Sequence, residues 1–260
     1  MLSELLLLSG NDIPFLEGRA IIHPPTLKEI GYIGEDTFFI GCGFLNFSKE
    51  LLNDKDKIGL ENYDDFDIFM SMIQDKSQMI KNNIAAARAV LDLIFPLYRV
   101  EVRNDHIFLH SEQGCGFINK SNFSAFKNIL IQMFSLKSAE EEKNGGYKPA
   151  GQMAQRIAEK LKNRHKQLSK LKGLDASITE KKISILSRYA SILSVGVQKD
   201  LNVIMQYTVY QLYDEFQRFQ LKTQWDAYIQ ARIAGAQNLD EVDNWMIDLK
   251  DQGKNKKIKK

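Results

Sequence analysis

Every third residue from Tyr207 to Phe219 is aromatic: Tyr207, Tyr210, Tyr213, Phe216 and Phe219. After Lys222 the series resumes with Trp225 and Tyr228. A helix turns about 100° per residue, so a three-residue repeat drifts backwards by about 60° per step. On one helix these rings therefore wind around the axis and leave no face wholly polar. A helix of that kind must be covered on more than one side. Asp200 is placed to cap it, and Gly235 to interrupt or end it. With Met205 as origin, Leu201, Met205, Val209, Leu212, Phe216 and Phe219 fall within about 40° of one line, an ordinary core stripe. Val203, Tyr207, Tyr210, Leu221, Trp225 and Tyr228 gather on the opposite side, with Tyr213 between. The second face has the tyrosine- and tryptophan-rich composition of an interface anchor. The competing reading is a central bundle helix covered on both sides by its own chain.

The rest of the chain supplies what such a helix packs on. At 260 residues one or two domains are expected. Residues 11–45 read as extended structure, with Ile13 to Leu16 and Ala20 to Ile22 flanking a turn at Glu17-Gly18. Thr26 and Glu29 form a capping box for a short helix bearing Leu27 and Ile30. Phe38-Phe39-Ile40 fits a strand or a buried helical turn equally. Residues 48–95 look helical, through Phe66, Phe69, Met70 and Ile73, then Ile80, Ile84, Ala87, Leu91 and Ile94, with Pro96 as the stop. Ile107 to Leu109 and Phe117-Ile118 read as a second extended piece, and Ser121 or Asn122 caps a helix carrying Phe126, Ile129, Leu130 and Met133.

Glu140-Glu141-Glu142 runs into Lys143-Asn144-Gly145-Gly146, which marks a linker. The division expected is an N-terminal mixed domain at 1–137, a linker at 138–151, a helical domain at 152–250 and a lysine-rich tail at 251–260. In that helical part Ser177 and Glu180 cap a helix bearing Ile183, Leu186, Ala190, Leu193 and Val197, and Asn238 and Glu241 open a last helix with Val242, Trp245, Met246 and Leu249. The fold class expected is α+β, predominantly α: a small N-terminal α/β-hairpin domain followed by a helical bundle.

Chemistry is sparse. His106, His110 and Cys115, with Cys42 as a distant fourth, are the best metal candidates, because residues 106 and 110 share a face in a strand; no paired short-spacing ligand motif supports a site. Either cysteine is a conceivable nucleophile, but nothing places a base beside it. Gly41-x-Gly43 lacks the third glycine and the lysine of a phosphate loop. Gly41-Cys42-Gly43-Phe44-Leu45-Asn46 recurs as Gly114-Cys115-Gly116-Phe117-Ile118-Asn119; the flanks do not match, which favours chance over duplication. No enzyme activity, metal or cofactor is expected. Net charge is +2, which predicts no strong attraction to nucleic acid or acidic membrane from the chain as a whole. The basic segment 156–172 and the lysine tail are the features a nucleic-acid-binding reading rests on, and a solvated helix face is the simpler account of the first. Two cysteines, no spanning segment and no signal core lead to an expectation of a soluble, cytoplasmic protein.

Ile183-Ser-Ile-Leu-Ser-Arg188-Tyr189, then Tyr207 to Phe219, then Ala234-Gly-Ala and Asn244-Trp245-Met246 resemble the tail assembly chaperones of long-tailed bacteriophages of Gram-positive bacteria. Ile22-His-Pro-Pro25-Thr-Leu-Lys-Glu-Ile30 with Gly34-Glu35 is similar to the start of the same proteins. The resemblance implies a protein of the host cell cytoplasm that binds the tape measure protein, a long helical partner kept soluble until tube subunits polymerise around it. The tail tube protein is a further candidate partner, and a homo-oligomer is left open. The residues expected to meet the partner are Tyr207, Tyr210, Leu221, Trp225, Tyr228 and Trp245. The alternative is a structural component of the tail or baseplate.

Overall fold

Buried aromatic residues from widely separated segments meet in one core. In the computed structural model, which describes residues 2–49, 62–74, 81–103, 105–112, 114–136, 185–237, 242 and 244–247, Phe38 meets Phe134 edge-on at 4.9 Å and Phe95 stacks on Phe126 at 6.0 Å. The linker 138–151, the basic segment 156–172, the Ser177–Glu180 capping box, Asn238, Glu241 and Leu249 of the expected last helix, and the lysine tail lie outside the described residues.

The chain opens with α1 (Glu4–Ser9), capped by Ser3 and closed by Gly10 at φ 67°. Strands β1 (Ile13–Phe15) and β2 (Ala20–Ile22) form the expected hairpin, with Ile13 opposite Ile22. Its loop holds Leu16, Glu17 and Gly18 all at positive φ. Helix α2 (Leu27–Ile33) starts in the Thr26–Glu29 capping box. Here the extended expectation for 11–45 fails: α3 (Glu35–Leu45) is a helix, so Phe38-Phe39-Ile40 is helical. Phe38, Cys42 and Leu45 stand at i, i+4 and i+7, and all three are buried.

Helices α4 (Asp65–Gln74) and α5 (Lys81–Ile94) fall where the periodicity placed them, with Ile80 and the rest of 75–80 and 50–61 outside the described residues. Then β3 (Arg99–Arg103), β4 (His106–Ser111) and β5 (Gly114–Ile118) form an antiparallel sheet in the order β3-β4-β5. The first of these strands was not anticipated, although Val100 and Val102 alternate with charged residues. Ile107, Leu109 and Ile118 turn inward. Helix α6 (Phe123–Met133) follows. Asn122 stands before it but does not cap it; its side chain accepts from the Asn119 N–H and donates to the Phe117 carbonyl. The two Gly-Cys-Gly-Phe copies thus adopt opposite structures, helix in α3 and strand in β5, so packing decides their conformation.

Three helices complete the described chain: α7 (Ile185–Gly196), α8 (Leu201–Ile204) and α9 (Val209–Ile233). Leu186, Ala190, Leu193, Ile204, Val209, Leu212 and Phe216 join the same buried cluster as the N-terminal residues. The architecture is α+β and predominantly α.

Candidate partner-binding surface

The aromatic series does not lie on one helix. Asp200 caps only α8, accepting from the Asn202 N–H at 2.8 Å. The chain then breaks over 205–208 because that backbone has another partner. The first N–H groups of α2 need acceptors, and the carbonyls of Tyr207 and Met205 take the Leu27 and Lys28 N–H groups at 2.8 and 2.9 Å. Thr26 and Thr208 form an antiparallel bridge. Thr208 then caps α9 in a second capping box, its hydroxyl accepting from the Gln211 N–H and the Gln211 side chain accepting from Thr208. Gln211 also donates to the Leu8 carbonyl at 2.7 Å, which holds α1 against the start of α9.

From Val209 onward the core stripe is real. Val209, Leu212 and Phe216 are buried, and Phe219 packs partly against the core. Gly196 makes room for that ring: a Cβ there would sit 2.3 Å from Phe219 Cζ. Leu201, expected on the same stripe, belongs to α8 and is 47% exposed. Tyr189 stacks on Phe216 at 3.9 Å and meets Tyr213 edge-on at 5.5 Å. Burial in this cluster pushes the Tyr213 hydroxyl up to about 12.

The second face divides along its length. Tyr207 and Tyr210, partly buried, pack against the core. Lys199 Nζ donates to both the Tyr207 hydroxyl and Glu215, at 2.6 Å to the latter. These bonds, Glu215 first, hold the Lys199 ammonium above its usual range, while burial raises the Tyr207 hydroxyl. Further along, Arg218 pairs with Asp214 at 3.1 Å and reaches Glu4 of α1 at 3.8 Å. The first half of the face is therefore covered by the protein's own chain. Leu221 is the last buried residue of α9. Beyond it Trp225 and Tyr228 lie on the same line, their rings 6.0 Å apart. Arg232 stands 5.7 Å over the Tyr228 ring and donates to its hydroxyl. Lys222 and Asp226 pair on the polar side at 2.5 Å. Trp245 sits apart in a turn in which the Asn244 carbonyl accepts from the Ile247 N–H, rather than in the helix expected there; it is 36% exposed.

Of the six residues, Leu221 is buried, Tyr207 and Tyr210 are half-buried against the core, and the half-buried Trp225 and Tyr228 meet each other one turn beyond Leu221. The pattern of the sequence missed a different apolar surface. Ile185, Ile192 and Val195 of α7, Val197, and Leu201 and Val203 of α8 are all exposed, Val195 to 81%. Ile185, Ile192 and Val195 repeat at i, i+7 and i+10, a second stripe beside the buried Leu186-Ala190-Leu193 one.

His106 and His110 lie near opposite ends of the central strand β4, and His110 and Cys115 are cross-strand partners. His106 is bound to Asp105 at 2.7 Å and His110 faces Glu101 at 3.5 Å. Cys42 is buried in α3, and burial pushes its thiol up. Among the described residues no group of three or more His, Cys, Asp or Glu could hold a metal, and no helix is long and apolar enough to cross a membrane.

Residues 180–250, which contain α7, α8 and α9, match a family described as the YomV second domain. No curated protein and no solved structure matches the chain. The family takes its name from a bacteriophage gene, so this part of the chain is similar to a phage-related domain, one whose description names no activity.

Proposed function

We propose that this protein is a bacteriophage tail assembly chaperone. It binds the tape measure protein in the host cell cytoplasm and keeps it soluble while the tail tube assembles. It works by binding alone, with no catalytic step, cofactor or metal. One observation carries the reading: beyond the buried Leu221, α9 still carries a half-buried aromatic pair, Trp225 and Tyr228, after its core stripe has ended at Phe219. Trp and Tyr at the end of a helix whose base is clamped into the fold suit the helix-in-groove mode, in which an amphipathic partner lays its apolar stripe against a preformed one. The phage-related match over 180–250 and the resemblance at both ends of the chain support the same reading.

The test is co-expression with the tape measure protein encoded in the same genome. The proposal expects the long partner to move into the soluble fraction and to co-purify with this chain. An insoluble partner and nothing retained would overturn it. Mass spectrometry of finished particles separates the chaperone from a tail or baseplate component, since a chaperone is absent from them.

A further inference from the structure

We infer that the exposed face of α7 is a second docking surface, built to receive an acidic amphipathic helix. Three observations converge on it. Ile185, Ile192 and Val195 are 47%, 38% and 81% exposed on one side of the helix, while Leu186, Ala190 and Leu193 are buried on the other. Arg188 lies on the same exposed stripe, one turn after Ile185 and one before Ile192. Among the described residues of 185–237 the other cations are engaged: Lys199 with Glu215, Arg218 with Asp214, Lys222 with Asp226, and Arg232 with the Tyr228 ring and hydroxyl. Within 185–237 Arg188 is the cation that is exposed and has no ion pair to a described residue.

The chemistry of the occupant follows. An apolar stripe on a helix is matched by the apolar stripe of another helix. A free guanidinium set within it selects a partner that brings a carboxylate, because a planar fork pairs bidentately with one. Ser187, Ser191 and Ser194 lie on the same helix, and their small side chains allow close approach. Ser191 and Ser194 already spend their hydroxyl protons on the Ser187 and Lys199 carbonyls, so they add no charge requirement. The face lies away from the Trp225–Tyr228 surface in sequence and belongs to a different helix. It therefore stands whether or not that surface binds a tape measure protein.

Two synthetic amphipathic helices test this, identical in their leucine stripe and flanked by glutamate in one and lysine in the other. Fluorescence anisotropy with the full chain should show the glutamate peptide binding about fivefold or more tightly than the lysine one, the preference shrinking as salt rises. Arg188→Glu should reverse the preference, and Val195→Asp should abolish it. The glutamate preference should persist in Trp225→Asp, which removes the surface given to the tape measure protein; circular dichroism confirms that each variant is folded. Equal binding of the two peptides, no binding, or loss of the preference in Trp225→Asp would overturn the inference. So would a concentration-dependent dimer in light scattering that Val195→Asp abolishes, which would give the face to a second copy of the chain. Failure of the peptide test with a soluble, co-purifying tape measure protein would sink this surface and leave the chaperone reading standing.

Discussion

Gly41 and Gly43 are two residues apart on α3 and answer to opposite constraints. A Cβ at Gly41 would lie 2.4 Å from the Ala86 carbonyl oxygen and 2.6 Å from Val90 Cγ2, whereas one at Gly43 meets nothing within 4 Å. Gly41 is thus the point where the backbones of α3 and α5 approach each other. Gly41→Ala should destabilise the fold by about 2 kcal/mol through overpacking, and Gly43→Ala should stabilise it by about 0.5–1 kcal/mol, since alanine is the better helix former. Urea midpoints of the two variants check this. A loss of similar size at both would refute the close approach. His23 carries the pH dependence at this scale. Its ring bridges Asp12 at 2.8 Å and Glu29 at 3.3 Å. Burial works against its charge, but the bonds to the two carboxylates outweigh it and raise its pKa. A raised histidine contributes stability that is fully present below its unfolded pKa of about 6.5 and is lost as pH rises through the higher folded value. Melting temperatures of the wild type and His23→Gln should accordingly differ below about pH 6 and converge at about pH 8 and above; a difference that persists at the higher pH would contradict the bridge.

At the scale of elements, the junction between α2 and α9 does the most to shape the C-terminal helices. Two capping boxes, Thr26–Glu29 and Thr208–Gln211, face each other across the Thr26–Thr208 bridge. Thr208→Ala removes the acceptor for the Gln211 N–H and should cost about 1 kcal/mol, with Thr208→Ser restoring most of it; denaturant unfolding measures both. The first box was legible, because Thr-x-x-Glu stands just after Pro24-Pro25. The second was hidden inside an unbroken aromatic repeat, and Asp200 offered an earlier cap. The break at 205–208 is caused by backbone pairing with residues 26–28, a contact that nothing local in the sequence announces. The same limit explains the rest. Helices α4, α5 and α6 have one buried face each, and their periodicity revealed them. Helix α3 was obscured by its glycines and its run of phenylalanines, and β3 by its charged residues. Ile192 and Val195 read as apolar whether covered or bare, so the exposed stripe of α7 could not be told from core by pattern alone.

Over the whole molecule, α9 divides into a part packed on the core and a part beyond it. Its first turns are fixed by α1, α2 and α7, so Tyr207, Tyr210 and the Tyr189–Tyr213–Phe216 cluster serve the fold. Beyond the buried Leu221, Trp225 and Tyr228 continue past the core stripe, and this pair is the surface to which the chaperone proposal gives the partner. The aromatic repeat thus has a half that packs on the core and a half-buried pair, Trp225 and Tyr228, that lies beyond it. Paired measurements on Trp225→Asp and Tyr210→Asp separate the halves: retention of co-expressed tape measure protein, and the urea midpoint of the purified variant. The account predicts that Trp225→Asp abolishes retention while its stability stays within about 0.5 kcal/mol of wild type, and that Tyr210→Asp loses about 2 kcal/mol or more by placing a charge against the core. Full retention by a stable Trp225→Asp variant would contradict it.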